Sequence, residues 1–144
     1  MLNKDEEAKF SVTIAGYKPG EVSQTIDVVQ EQALREKLVA EFTDNLVLET
    51  PDPVLNTMFR FAKIRGMESI FETKGGLMHG PGGEAYYAAI WANDEAEYFS
   101  PFTPFLGYAT GNAASLNTYD LYAPYMNKEY NKLPSSIIAE GDDV

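Results

Sequence analysis

The sequence predicts a mainly α-helical protein, and three local patterns support that prediction. Across residues 21–46, apolar side chains recur at mostly helical spacing and charged side chains fill the opposite face. Asp52 followed by Pro53 combines an N-cap acceptor with proline at the first helical position. The helix behind this pair is apolar almost all round, so it is expected to have neighbours on both flanks. A further helix is expected over about 113–127.

Other segments are predicted from shorter signals. Residues 10–14 alternate apolar and polar side chains, the pattern of a half-buried strand. Residues 75–83 contain five glycines and predict a long irregular loop. Asn93 is placed to cap a helix whose acidic first turn suits the helix dipole. Pro101 and Pro104 leave the extent of that helix open.

Composition restricts the classes of ligand. The 144 residues include 11 basic and 22 acidic side chains, giving a formal charge of −11. Such a surface repels nucleic-acid backbones and anionic lipid, whereas a neutral ligand such as a sugar meets no such penalty. The chain has no cysteine and a single histidine, so thiolate and His–His metal sites are not expected. The glycines of residues 75–83 match neither the phosphate-loop nor the dinucleotide-binding pattern, and no bound cofactor is expected. The polar start lacks the apolar core of a signal peptide, and the compartment stays open.

A glycine-rich loop that leads into tyrosine, tryptophan and carboxylate side chains suits sugar recognition. Aromatic rings pack against the C–H face of a pyranose, while Asn and Asp bond to its hydroxyls. The candidate substrate-binding residues are His79, Tyr87, Trp91, Asn93 and Asp94. The alternative is that the aromatic residues are core, that Asp94 is a helix cap and that His79 is structural or merely exposed.

Carboxylates near the end of the sequence are candidates for glycosidic cleavage, which commonly needs two carboxyl groups. The candidate catalytic residues are Glu140, Asp142 and Asp143, with Asp94, Glu95 or Glu97 as possible partners across a cleft. The alternative is chance clustering, since acidic residues are frequent in this chain.

Longer stretches of the sequence resemble the first hairpins of bacterial six-hairpin, (α/α)6-barrel glycoside hydrolases, closest to rhamnosidase-like members from gut bacteria. The resemblance covers about residues 45–144. Its most specific stretches are residues 55–65, 75–83, 86–98 and 137–141.

The resemblance implies a fold and a division of the chain. Residues 1–20 would be the edge of a β-rich segment, residues 21–49 a connector helix, and residues 50–144 the first hairpins of an (α/α)6 barrel. Members of this family are often periplasmic or secreted. Twelve barrel helices need at least ~300 residues, so the chain is expected to be a fragment of a barrel and inactive alone. Its partners would then be a carbohydrate and either the remainder of the barrel or a second copy.

The resemblance also implies residue roles. Related barrels carry a Trp-x-x-Asp element that binds sugar at the cleavage subsite, and Trp91 and Asp94 match it loosely. The general acid of related members lies in a Gly-, Asp- and Glu-rich loop, which residues 140–143 match in composition. Two other hypotheses remain: a non-catalytic carbohydrate-binding module, and a helical protein whose apolar face serves only oligomerisation.

Overall fold

The computed structural model describes residues 6–81, 89–129 and 132–141, and the fold is mainly helical. The chain divides into two compact units, residues 1–38 and residues 39–144. The second unit contains both small sheets and all helices after the first. The candidate site lies entirely within it.

The first helix, α1 (Val28–Thr43), is shorter at both ends than the predicted span. It begins after Asp27, whose Oδ1 accepts hydrogen bonds from the backbone N–H groups of Val29 at 3.0 Å and Gln30 at 3.2 Å. The strand predicted over 10–14 is wrong, because residues 6–18 form neither strand nor helix and their apolar side chains are exposed. Alternation alone does not make a strand, since a strand needs a partner for its backbone hydrogen bonds.

The second helix, α2 (Pro53–Glu68), confirms the predicted start. Asp52 Oδ1 accepts from the N–H groups of Val54 at 2.8 Å and Leu55 at 3.4 Å, so it is the N-cap. The expectation of neighbours on both flanks is wrong for the described residues. Lys63 and Met67 are buried, yet one face of the helix stays open. Its exposed apolar side chains are Val54, Leu55, Met58 and Phe61.

A β-hairpin replaces the first half of the predicted glycine loop, and the first strand of the hairpin precedes that loop. Strand β1 (Ile70–Thr73) pairs antiparallel with β2 (Gly76–His79), and a two-residue turn joins them. Gly76 adopts a φ of 100°, which favours glycine. The side chain of Asn117 lies against this turn and donates to the carbonyls of Gly75 and Leu77, both at 2.9 Å. A Cβ atom on Gly76 would lie 2.8 Å from Asn117 Nδ2, so glycine is also required by space.

A second strand pair precedes a helical stretch of changing pitch. Strand β3 (Ile90–Trp91) pairs antiparallel with β4 (Ser136–Ile137). The chain then continues through residues 92–106, where α3 (Ala92–Asp94), a π-helical turn (Glu95–Phe99) and α4 (Ser100–Leu106) follow one another without a break. The N-cap of this stretch is Trp91, so the predicted cap at Asn93 is wrong.

The last helix, α5 (Ala109–Tyr122), begins earlier than predicted and runs into a 3-10 turn (Ala123–Tyr125). It packs on the β1–β2 hairpin, and its residues also contribute to the core. The buried cluster joins both strand pairs to α5 and consists of Met78, Ile90, Tyr122 and Ile137. Within the described parts of the chain, no helix has the length and apolar character needed to cross a membrane.

Candidate functional site

A buried polar network joins three elements of the second unit. His79 ends β2, Glu95 begins the π-helical turn, and Thr118 lies on α5. The Nδ1 atom of His79 lies 2.9 Å from Oε1 of Glu95. Thr118 Oγ1 donates to the other carboxylate oxygen, Oε2, at 3.1 Å. All three side chains are buried, so the network holds polar groups that would be costly if left unpaired.

The π-helical turn places two of its residues against the same imidazole. Glu95 bonds to the edge of the His79 ring, while Phe99 stacks on its face with ring centroids 4.0 Å apart and planes 7° from parallel. These two contacts come from residues four apart, which share a side of a helical turn. Short π-helical turns inside α-helices are frequent at functional sites. The geometry therefore fixes both the position and the tilt of the imidazole.

The charge of Glu95 also acts on its neighbour Tyr122. Burial raises the pKa of Tyr122 to about 12, and the nearby carboxylate of Glu95 and the phenol of Tyr125 act in the same direction. The hydroxyl of Tyr122 is buried and has no hydrogen-bond partner among the described residues. This phenol consequently stays neutral well into the alkaline range.

A cavity of about 400 Å³ lies beside His79, on the side of the network that faces α2. Its described lining combines four aromatic rings with one imidazole and one carboxylate, and contains no lysine or arginine. The lining consists of Phe59, Ala62, Gly66, Met67, His79, Glu97, Tyr98, Phe99 and Phe102. Aromatic faces with a few hydrogen-bonding groups are the usual lining of a small-molecule site, and the lack of cations disfavours phosphate or carboxylate ligands. We call this space the aromatic cavity.

A second cavity, of about 240 Å³, also borders Glu95. Its lining is mostly apolar and includes Ala96, Tyr119, Met126 and Leu133. The network thus lies between two cavities, of which the aromatic cavity is the larger and exposes more polar surface.

The predicted sugar-binding residues lie close together in sequence but differ in exposure. Trp91 is half-buried at the end of β3, Asn93 is exposed, and Asp94 is half-buried in the first turn of α3. Because Trp91 precedes the helix in an extended conformation, with φ −112° and ψ 128°, it does not share a helical face with Asp94 in the expected way. Of this set, only His79 lines the aromatic cavity. Tyr87 lies outside the described residues.

The predicted catalytic Glu140 is exposed and lies 3.9 Å from the Nζ atom of Lys74. The antiparallel register pairs Ile90 with Ile137, so Glu140 follows one end of the β3–β4 pair while Asp94 follows the other. The strand register therefore places these two carboxylates beyond opposite ends of the strand pair. Asp142 and Asp143 lie outside the described residues.

Glu95 is the residue that sequence reasoning undervalued. It lies in an acidic run whose pattern predicts the solvent-exposed first turn of a helix. The π-helical turn and the distant Thr118 instead make it a buried partner of His79. The one available signal was the presence of a single histidine sixteen positions away, as the contact separation shows. Long-range pairing of this kind has no local sequence pattern.

The described residues contain no group of three or more His, Cys, Asp or Glu side chains arranged to hold a metal ion. A comparison with known proteins found no matching family model, no matching curated protein and no matching solved structure.

Proposed function

We propose that this chain is part of a glycoside hydrolase and that it contributes the aromatic cavity as a binding site for a neutral sugar. The observation that carries the proposal is the cavity lining, in which aromatic rings surround one carboxylate and one imidazole. Sugar C–H faces pack on aromatic rings, and sugar hydroxyls bond to carboxylate and imidazole groups.

Charge supports a neutral ligand over an anionic one. The chain carries a formal charge of −11, and Glu97 adds a carboxylate to the cavity itself. A phosphate or carboxylate ligand would meet repulsion without a compensating lysine or arginine in the lining. A sugar would replace water at the rings and form hydrogen bonds at Glu97 and His79.

Hydrolysis, as distinct from binding, rests on the family resemblance of residues 45–144. A glycosidase needs two carboxyl groups about 5–10 Å apart on either side of the scissile bond. Glu97 is the carboxylate that the aromatic cavity offers. Asp94, in the preceding helical turn, and the acidic residues 140–143 remain the proposed sources of the second group.

The exposed apolar surfaces support a larger helical assembly. On α2, Val54, Met58 and Phe61 recur at helical spacing and are each at least 60% exposed. On α5, Leu116 and Tyr119 lie three residues apart and are also exposed. In an (α/α)6 barrel, faces of this kind pack against neighbouring hairpins. The barrel is thus proposed from the pattern of the helices and from their uncovered sides.

Binding of methyl glycosides to the purified chain tests the site. We suggest isothermal titration with the methyl glycosides of glucose, galactose, mannose and rhamnose, comparing Tyr98→Ala with wild type. Tyr98 is 65% exposed, so its removal should leave folding intact while taking one ring from the cavity. We expect about tenfold weaker binding, equivalent to about 1.4 kcal/mol.

Tyr119→Ala is the matched control, because Tyr119 is 58% exposed and lines the other cavity. Equal affinity in wild type and Tyr98→Ala, or equal losses in both variants, would contradict the assignment to the aromatic cavity. Binding without hydrolysis, in a chain extended to a whole barrel, would favour a carbohydrate-binding module.

A second candidate, an oligomerisation module, is favoured by the open apolar face of α2. If that face pairs with a copy of itself, Met58→Glu should convert a stable dimer into a monomer in analytical ultracentrifugation. A wild-type monomer would contradict this candidate.

A further inference from the structure

We infer that Glu95 and Thr118 are positioning residues that hold the His79 imidazole in one tautomer, with the lone pair of Nε2 presented to the aromatic cavity. This deepens the proposed function and rests on it, because it specifies what the site would recognise. The structural part of the inference can nevertheless be tested without any ligand.

The first step concerns the proton on Nδ1. An ionised carboxylate accepts hydrogen bonds and has none to donate. Glu95 Oε1 lies 2.9 Å from Nδ1 of His79, so that nitrogen is the donor. Thr118 Oγ1 lies 3.1 Å from Oε2 and 3.1 Å from the carbonyl oxygen of Ala114, so its one hydrogen is shared between these two acceptors. A hydrogen bond at one ring nitrogen determines which nitrogen of a neutral imidazole carries the proton.

The second step concerns the direction of the ring. Phe99 stacks on its face, and Glu95 holds its Nδ1 edge. Rotating the imidazole by half a turn would remove Nδ1 from Glu95 and break the shortest contact of the network. His79 also lines the aromatic cavity, so Nε2 is the ring nitrogen that a ligand there would meet.

The third step concerns the ligand. A neutral imidazole protonated at Nδ1 has an acceptor at Nε2, and Glu97 is a second acceptor in the same lining. Two hydrogen-bond acceptors in the lining favour a ligand that carries hydrogen-bond donors. The geometry points to a sugar with free hydroxyl groups at the edge that enters the cavity. A per-O-methylated sugar of the same ring shape lacks these donors and would leave both acceptors unpaired, which is strongly penalised.

The ligand-free test uses the fact that the chain has a single histidine. After selective 15N labelling of histidine, one imidazole spin system reports the protonation of both ring nitrogens in mildly alkaline buffer. We expect the Nδ1–H tautomer in the wild type. In Glu95→Gln the amide nitrogen can donate to Nδ1 while the amide oxygen can still accept from it, so we expect a mixture in which part of the proton moves to Nε2.

Glu72→Gln is the control, because it removes the same charge from an exposed position on β1. It should leave the histidine spectrum unchanged. If Glu95→Gln does not fold, Thr118→Val provides a second route, since it removes only the hydroxyl that bonds to Oε2. We expect a measurable fraction of the Nε2–H form in that variant.

The outcomes separate this inference from the proposed function. A wild-type spectrum with a proton on Nε2, or a tautomer unaffected by changes at both Glu95 and Thr118, would overturn the positioning role. A titration with methyl glucoside and per-O-methylated methyl glucoside tests the ligand preference. If neither sugar binds while the Nδ1–H tautomer is confirmed, the proposed function fails and the positioning role stands.

Discussion

Lys63 and His79 are both buried side chains with nitrogen donors, yet their surroundings differ in kind. Lys63 is 1% exposed, and its Nζ atom donates to the backbone carbonyls of Thr43, Asn45 and Leu46 at 2.9, 2.6 and 3.2 Å. Among the described residues, His79 instead bonds to a single side chain, Glu95, and it borders the aromatic cavity. The Lys63 nitrogen has all its donors satisfied by the backbone, whereas the His79 ring has a second nitrogen that we propose as a ligand contact.

This difference separates a buried group with a structural role from one for which we propose a functional role. An ammonium group has three donors, and the three carbonyls around Lys63 use all of them. These carbonyls come from the end of α1 and the segment that follows, where helices leave acceptors without partners. Burial lowers the pKa of Lys63 and the charge of Arg60 acts in the same direction, while Asp44 opposes them. Lys63 thus closes the end of a helix and has no donor left for chemistry.

The largest effect is expected from Lys63→Met. This change keeps the length of the apolar stem but leaves three backbone carbonyls, one buried and two partly buried, without their donor, so we expect a loss of about 3–5 kcal/mol in the free energy of unfolding. Urea denaturation followed by the fluorescence of the single tryptophan measures it, because Trp91 lies in the second unit.

Arg60→Met is the control for Lys63, since it removes a positive charge from an exposed position on the same helix. A loss in Lys63→Met no larger than in the control would mean that the carbonyl contacts do not stabilise the fold. The contrast between a structural role for Lys63 and a functional role for His79 would then not hold.

A smaller effect, confined to alkaline pH, is expected at Tyr122. Its pKa is raised from 10.0 to about 12 in the folded chain, so the folded state keeps a proton that the unfolded state loses. The resulting stability is fully present below pH 10 and lost as pH rises towards 12. Wild type should therefore lose about 2–3 kcal/mol more than Tyr122→Phe over this range.

Below pH 10, Tyr122→Phe should be as stable as wild type or about 1 kcal/mol more stable, because it removes a buried hydroxyl that has no partner among the described residues. Urea midpoints at several pH values check both statements. Parallel pH profiles for the two proteins would show that burial beside Glu95 does not hold the phenol neutral.

The smallest effect is expected from Asp52→Ala, which removes the N-cap of α2. A loss of about 1 kcal/mol is typical for such a cap, and thermal unfolding can measure it. Asp52→Asn should retain most of the stability, because an amide oxygen also caps helices. The two Asp52 variants measure how much a purely local interaction stabilises α2, the helix that also carries Lys63. A larger loss for Asp52→Ala than for Lys63→Met would reverse the proposed ranking.

The features predicted from sequence were those determined by neighbouring residues. Asp52 and Pro53 specify a helix start within one turn, and the structure confirms it. The glycines at 75 and 76 were predicted to lie in an irregular loop, but they lie at the turn of the β1–β2 hairpin. The sequence pattern did not reveal this, because their role depends on Asn117, more than forty positions away. The strand expected at 10–14 was wrong because pairing depends on a partner strand that the local pattern does not reveal.

The candidate site shows the same limit. His79 was selected from its place beside a glycine-rich segment, and it does line a cavity. Its partner Glu95 was considered only as a possible catalytic carboxylate, and the ring of Phe99 was not selected, because the π-helical turn alters which side chains share a face. The roles proposed for Trp91, Asp94 and Glu140 stay predictions, and the strand register places the last two at opposite ends of one strand pair.

The most direct measurement of the central claim is a titration of histidine-labelled protein with methyl glycosides, followed at the two imidazole nitrogens. If a sugar occupies the aromatic cavity, the Nε2 signal of His79 should shift in a saturable way, while Nδ1, held by Glu95, should change little. The shift should need a higher sugar concentration in Tyr98→Ala but not in Tyr119→Ala. An Nε2 signal that no glycoside moves, in a protein with the wild-type fold, would contradict the sugar site.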